Sequence, residues 1–218
     1  MSKIKICGLM REEDIVAANA ALPDYVGFVF VTKSRRYVSL EQAAMLQAKL
    51  SPQIKAVGVF ADEEPERVVQ AAEQADINMV QLHGAESERY IEALRRRVRL
   101  PIIKAFPVRN ASDILEANRS CADLILLDTF RQGNFGGSGE TFSWELLSGV
   151  RRPFFLAGGI GLSNLQDALA TGAYGIDVSS GAEGADGKKD SEKMKQIVAG
   201  IRAAEIKGGN ENGKRPVW

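Results

Sequence analysis

The sequence predicts a single-domain α/β protein, a (β/α)8 barrel of the TIM type. Strand-like and helix-like segments alternate along the whole chain, and they count out to eight pairs in 218 residues. Such alternation implies parallel strands joined by right-handed crossovers, and eight units of this length suit a compact barrel. Glycines and polar residues gather at the strand ends, where barrel active sites lie, while the strand middles are apolar. An open doubly wound sheet is the alternative. It would usually begin with a glycine-rich dinucleotide fingerprint, which Cys7-Gly8-Leu9-Met10 is not.

The elements follow in order. A short strand over 3–7 leads to a helix over 12–21, and a strand over 25–30 to a helix over 40–50, with Ser39 as its N-cap. The third strand, 54–60, precedes a helix over 65–75 that carries Pro65 in its first turn, where a missing N–H is harmless. Strand 78–83 is followed by helix 87–97, and strand 101–106 by helix 111–118 behind an Asn110 cap. Strand 122–128 runs into a glycine-rich loop, Arg131 to Thr141, and then a short helix over 144–147. Strand 153–157 precedes helix 165–170 behind Ser163, and strand 174–179 precedes the last helix, 191–204. The catalytic barrel is expected over 1–206, and the polar tail 207–218 is expected to be disordered.

Composition narrows the function. Lys+Arg and Asp+Glu are 28 each, so the net charge is zero, and a nucleic-acid partner is not expected. The longest apolar runs are strand-sized, far from the roughly 20 residues of a membrane span. The opening Met1-Ser2-Lys3-Ile4-Lys5 has no signal-peptide core, and the chain has only two cysteines, so a cytoplasmic location is expected. His83 is the one histidine, which excludes metal sites that need two. No metal or cofactor is expected. A barrel of this size is expected as a monomer or homodimer.

Residues at strand C-termini carry the candidate chemistry. Units seven and eight end in Gly158-Gly159 and in Ser179-Ser180-Gly181, and turns in those positions often cradle a phosphate. Cys7 ends the first strand with Lys5 two residues back on the same face. A nearby ammonium favours the thiolate, a nucleophile or general base, although a cysteine there can equally be inert filler. Cys121, before strand six, is read as filler. Asp128 ends strand six after an apolar run, where it can cap a turn or serve as an acid with a raised pKa. Arg36, in Lys33-Ser34-Arg35-Arg36-Tyr37, can bind a carboxylate bidentately or simply be solvated. His83 shares a face with Gln81, and Asp177 with Ser179.

At these residues the sequence resembles the phosphoribosylanthranilate isomerases of tryptophan biosynthesis. The likeness rests on Lys5-Ile6-Cys7-Gly8, Lys33-Ser34-Arg35-Arg36-Tyr37, Val80-Gln81-Leu82-His83-Gly84, Leu126-Leu127-Asp128-Thr129, Gly136-Gly137-Ser138-Gly139, Ala157-Gly158-Gly159-Ile160 and Asp177-Val178-Ser179-Ser180-Gly181. It implies a cofactor-independent Amadori rearrangement of N-(5-phosphoribosyl)anthranilate, a phosphorylated sugar-anthranilate substrate. By that resemblance Cys7 is the general base and Asp128 the general acid. Arg36, His83 and Asp177 bind the substrate, and Gly158, Gly159, Ser179, Ser180 and Gly181 hold its phosphate. Met10 stands where the family commonly has threonine, and it is expected to border the mouth. Other phosphate-handling barrels remain as alternatives. An indole-glycerol-phosphate synthase would need catalytic lysines and glutamates, a pentose-phosphate epimerase more histidines, and a non-catalytic phosphate binder neither Cys7 nor Asp128.

Overall fold

The structure, a computed structural model, describes residues 2–128 and 144–208. Eight parallel strands close into a barrel in chain order. They are β1 (Lys3–Cys7), β2 (Tyr25–Val29), β3 (Lys55–Phe60), β4 (Met79–Leu82), β5 (Ile102–Pro107), β6 (Leu124–Asp128), β7 (Phe154–Ala157) and β8 (Gly175–Val178). Around them lie α1 (Glu12–Ala21), α2 (Leu40–Gln47), α3 (Pro65–Gln74), α4 (Glu88–Arg95), α5 (Ala111–Arg119), α6 (Leu165–Ala170) and α7 (Ser191–Gly208). A 3-10 segment, Trp144–Gly149, stands between β6 and β7. The ring closes where β8 pairs with β1 and Asp177 lies opposite Lys5. No helix among the described residues is long and apolar enough to cross a membrane.

Strand alternation divides the molecule into two packed layers. Ile4, Ile6, Val26, Phe28, Val80, Leu82, Ile125 and Leu127 point outward into the main core beneath the helices. Tyr25, Val57, Met79, Ile103, Leu126 and Phe155 point inward and fill the barrel floor. Phe155 meets Tyr25 edge-on at 5.7 Å and Tyr174 edge-on at 5.6 Å, a favoured aromatic geometry. Above this floor the inward-facing residues turn polar, with Lys5, Gln81 and Asp177 all buried. Burying such groups is unfavourable unless they are paired, and Lys5 and Asp177 pair with each other.

The caps explain the helix starts. Ser39 accepts from the Gln42 N–H, Asn110 from the Ser112 N–H, and Pro65 opens α3, as the sequence predicts. Several ends move by one to three residues. Ser87 is the cap of α4 rather than its first residue, accepting from the Tyr90 N–H. The cap of α6 is Asn164, not Ser163. β6 starts at Leu124 because Asp123 turns its carboxylate onto the Ile102 N–H. The last helix runs on to Gly208, beyond the expected limits of 204 for the helix and 206 for the barrel, and residues 209–218 lie outside the described ones.

Asp24 ties the floor of the barrel together. Its carboxylate accepts from Lys3 Nζ at 2.9 Å, the Ile4 N–H at 2.9 Å and Arg202 Nη2 at 2.7 Å, joining β1, β2 and α7. Burial works against the charge, but these three donors hold the carboxyl below the usual carboxylate range. A depressed folded-state pKa stabilises above the unfolded value of about 4 and is lost as pH falls through the folded value. Asp24→Asn should therefore lower stability by about 2 kcal/mol at neutral pH. Denaturant melts of both proteins should converge in strong acid, where the wild-type carboxyl is also protonated.

Candidate active site

Cys7 ends β1 on the inner face of the mouth and is 8% exposed. It pairs with Gly27 on β2, where a Cβ would lie 2.7 Å from Cys7 Sγ, so only glycine leaves room for the sulfur. Lys5 is fully buried below it, with Nζ 3.0 Å from each carboxylate oxygen of Asp177. The charge of the Cys7 sulfur also favours the Lys5 ammonium. Burial nonetheless pushes the Cys7 thiol up, and the opposing pulls of Lys5 and Lys189 do not overcome it and the Asp177 charge. Lys5 does pull the thiol down, as expected, but burial outweighs it, which corrects the expectation of a thiol held mainly as thiolate. Desolvation acts on the whole thiolate charge. Lys5 itself is pushed up: burial opposes its charge, but Asp177 and the sulfur more than offset that.

A second group lies on the β4 and β6 rim. His83 Nε2 is 3.3 Å from Asp128 Oδ2, and Gln81 Nε2 is 2.8 Å from His83 Nδ1. His83 is 37% and Asp128 28% exposed at the mouth, whereas Gln81 is wholly buried between Val59 of β3 and Ile103 of β5. The 3.3 Å separation is somewhat long for a hydrogen bond, as is common for catalytic contacts that tighten when substrate binds. The loop after His83 is clamped from below. Glu86 accepts from the Asp62 and Gly84 N–H groups and pairs with Lys104 Nζ at 3.0 Å.

The third group joins the loops after β2 and β8. Glu183 accepts from Arg36 Nε at 2.6 Å, Arg36 Nη2 at 3.2 Å, Arg35 Nη2 at 2.9 Å and Lys189 Nζ at 2.9 Å. Burial opposes its charge, but these donors hold the Glu183 carboxyl below its usual range. Lys189 is pushed down by burial, only partly offset by Glu183. The Arg36 guanidinium is thus fixed through one edge, which leaves Nη1 to meet another anion. Beside it, the turns after β7 and β8 are packed backbone to backbone, since a Cβ on Gly181 would fall 2.7 Å from Gly161 Cα. Gly158 and Gly159 have φ of 98° and 64°, and Asn164 pins their turn through the Gly161 N–H and the Gly159 carbonyl. Ser179 Oγ donates to the Cys7 carbonyl at 3.1 Å, so its single hydroxyl hydrogen is directed to β1.

The arrangement brings most of the sequence-derived candidates to one end of the barrel. Cys7, Arg36, His83, Asp128, Asp177, Gly158, Gly159, Ser179, Ser180 and Gly181 all lie on or just after strand C-termini. Asp177 is engaged through both oxygens by Lys5. Two expectations fail. Cys121 is exposed rather than buried filler, with its N–H on Glu88 Oε2. Met10 packs against the main core under the helices, not against the inner cluster of Cys7, Val29 and Val59. Its backbone is held by Asp14 of α1 and Gln42 of α2. The glycine-rich loop after β6 lies outside the described residues. Sequence reading missed Glu183 and Lys189. A carboxylate soon after Ser179-Ser180-Gly181, followed by Lys188-Lys189, is the signal that could have found them. Among the described residues, no group of three or more His, Cys, Asp or Glu side chains is placed to hold a metal ion.

A family model described as N-(5'phosphoribosyl)anthranilate (PRA) isomerase matches residues 4–200. The N-(5'-phosphoribosyl)anthranilate isomerase of Endomicrobium trichonymphae is 41% identical over 204 residues, covering 93% of this chain and 100% of that one. The crystal structure of phosphoribosyl anthranilate isomerase from Thermotoga maritima superposes with a TM-score of 0.82 at 36% identity, over 93% of this chain and 100% of that one. A phosphoribosyl anthranilate isomerase in complex with reduced 1-(o-carboxyphenylamino)-1-deoxyribulose 5-phosphate gives a TM-score of 0.80 at 34% identity, over 93% and 100% of the two chains.

Proposed function

This chain belongs to the N-(5'-phosphoribosyl)anthranilate isomerase family, and we propose that Cys7 and Asp128 are the base and acid of its reaction. That reaction is an Amadori rearrangement in tryptophan biosynthesis. It converts N-(5-phosphoribosyl)anthranilate to 1-(2-carboxyphenylamino)-1-deoxyribulose 5-phosphate by general acid/base catalysis.

Asp128 gives its proton to the furanose ring oxygen. The bond from that oxygen to C1 breaks, and the nitrogen lone pair forms a protonated Schiff base. Cys7 then takes the C2 proton, and the C2–H electron pair becomes the C1=C2 bond of an enolamine. The enol O–H loses its proton, C1 gains one, and the ketone results with no net change in protons. The observation that carries this reading is the placement of Cys7 on β1 and Asp128 on β6, both facing inward at the same mouth. A sugar lying between them would meet one group on each side. Only the ionised form of Cys7 can take this proton, and the positive charge of the Schiff base favours that thiolate.

The substrate carries two anionic ends. The paired turns with Gly158, Gly159, Ser180 and Gly181 suit the phosphate through their backbone N–H groups. Ser179 joins them by its backbone and braces Cys7 by its hydroxyl. Arg36, held in place by Glu183, suits the anthranilate carboxylate, and His83 and Asp177 line the same mouth from the ends of β4 and β8. Binding energy from these remote ends orients C1 and C2.

Steady-state conversion of freshly generated phosphoribosylanthranilate, followed by loss of its fluorescence, tests the reading. In the same assay Arg36→Lys should raise KM about tenfold or more and change kcat less than about threefold. A lysine reproduces neither the fork to Glu183 nor planar carboxylate recognition. An unchanged KM would remove Arg36 from the binding site.

A further inference from the structure

Gln81 has an atom that the reaction above does not use. Its side chain is wholly buried, yet its Oε1 has no hydrogen-bond partner among the described residues. Buried polar atoms without a partner are uncommon and call for a reason. The other end of the same amide is 2.8 Å from His83 Nδ1, and His83 Nε2 is 3.3 Å from Asp128 Oδ2. The three side chains form a line from the barrel interior to the rim.

The two orientations of the amide make opposite demands on the imidazole. With the NH2 group on Nδ1, that nitrogen must be bare, and the ring proton sits on Nε2, facing Asp128. With the oxygen on Nδ1, the proton sits on Nδ1 and Nε2 is bare. The first orientation leaves one buried carbonyl-type oxygen unpaired. The second leaves a buried NH2 group unpaired. Under-satisfied acceptors are tolerated more readily than orphaned donors, so the first orientation is favoured.

We propose that Gln81 is a positioning residue that holds His83 as the Nε2–H tautomer, so that His83 donates to Asp128 as that acid gives up its proton. This rests on the reading of Asp128 as the acid. Negative charge grows on Asp128 while the ring oxygen is protonated, and a hydrogen bond from His83 strengthens with that charge. Such an interaction is greater in the transition state than in the ground state and so raises kcat. No proton leaves His83 in the step: the proton moves from Asp128 to substrate, and His83 keeps its own. Gln81 touches no reacting atom.

His83 is the only histidine in the chain, so its ring nitrogens can be read without assignment by 15N NMR of histidine-labelled protein. In the wild type at neutral to mildly alkaline pH, Nε2 should appear protonated and Nδ1 bare. Gln81→Met should give a mixture of tautomers. Gln81→Glu, which can only accept, should move the proton to Nδ1. Gln81→Met should also lower kcat about tenfold with KM changed less than about twofold. A wild-type Nδ1–H tautomer overturns the proposal without need of any variant, and so does a tautomer that neither substitution moves. Asp128→Asn separates the two readings. If it keeps turnover while His83 is Nε2–H, the acid assignment is wrong. If it abolishes turnover while His83 is Nδ1–H, the acid stands and the positioning role falls.

Discussion

Cys7→Ser should lower kcat by about three orders of magnitude while the folded protein still binds a reduced product analogue. Serine keeps the size and the place of the side chain, between Gly27 and Lys5. Its hydroxyl is far harder to ionise than a thiol, so the base is lost while the pocket is preserved. The same geometry fixes a pH dependence. Burial pushes the Cys7 thiol above its ordinary value, so the free enzyme at neutral pH is mostly in the thiol form. The kcat/KM profile should keep rising with pH past the ordinary thiol range of about 8.5, and that rise should vanish in Cys7→Ser. A profile already flat at neutral pH would mean that the thiolate is preformed, or that another group is the base.

Asp128→Asn should cause a loss of similar size, about three orders of magnitude in kcat, with little change in analogue binding. The amide is nearly isosteric and can still meet His83, but it cannot donate a proton to the ring oxygen. The loss therefore reports on chemistry rather than on a collapsed rim. His83 and Gln81 remain to hold the site, with Gln81 clamped between β3 and β5. Circular dichroism and melting curves should match the wild type. An Asp128→Asn enzyme within about tenfold of wild-type kcat would reassign the acid.

Much of this was legible in the sequence because barrel sites occupy fixed places along each unit. Once 3–7 and 122–128 are read as strands, Cys7 and Asp128 fall at their C-terminal ends, which the barrel brings to one mouth. Helix starts were readable where a side chain caps them, as at Ser39 and Asn110, because the capping bond is local. What was lost is long-range. Nothing in the spacing says that Glu183 clamps Arg36 at a separation of 147 residues. The Lys5–Asp177 pair, 172 residues apart, exists only because β8 closes onto β1. The local argument for a low Cys7 pKa fails because it leaves out burial, which outweighs the pull of Lys5 on the sulfur, and the Asp177 charge adds to the rise. Met10 misled in the same way, since its place beside the strand end does not fix the direction of its side chain.

The division of labour between the two groups is tested most directly by trapping the ring-opened intermediate. Phosphoribosylanthranilate is mixed with excess enzyme in the presence of a hydride reductant, and the reduced open-chain amine is measured. Cys7→Ala should form this amine faster than the enzyme-free reaction, because Asp128 still opens the ring and the Schiff base waits for a missing base. Asp128→Asn should give no more than the enzyme-free amount. Enhanced trapping with Asp128→Asn and none with Cys7→Ala would contradict the account and exchange the two roles.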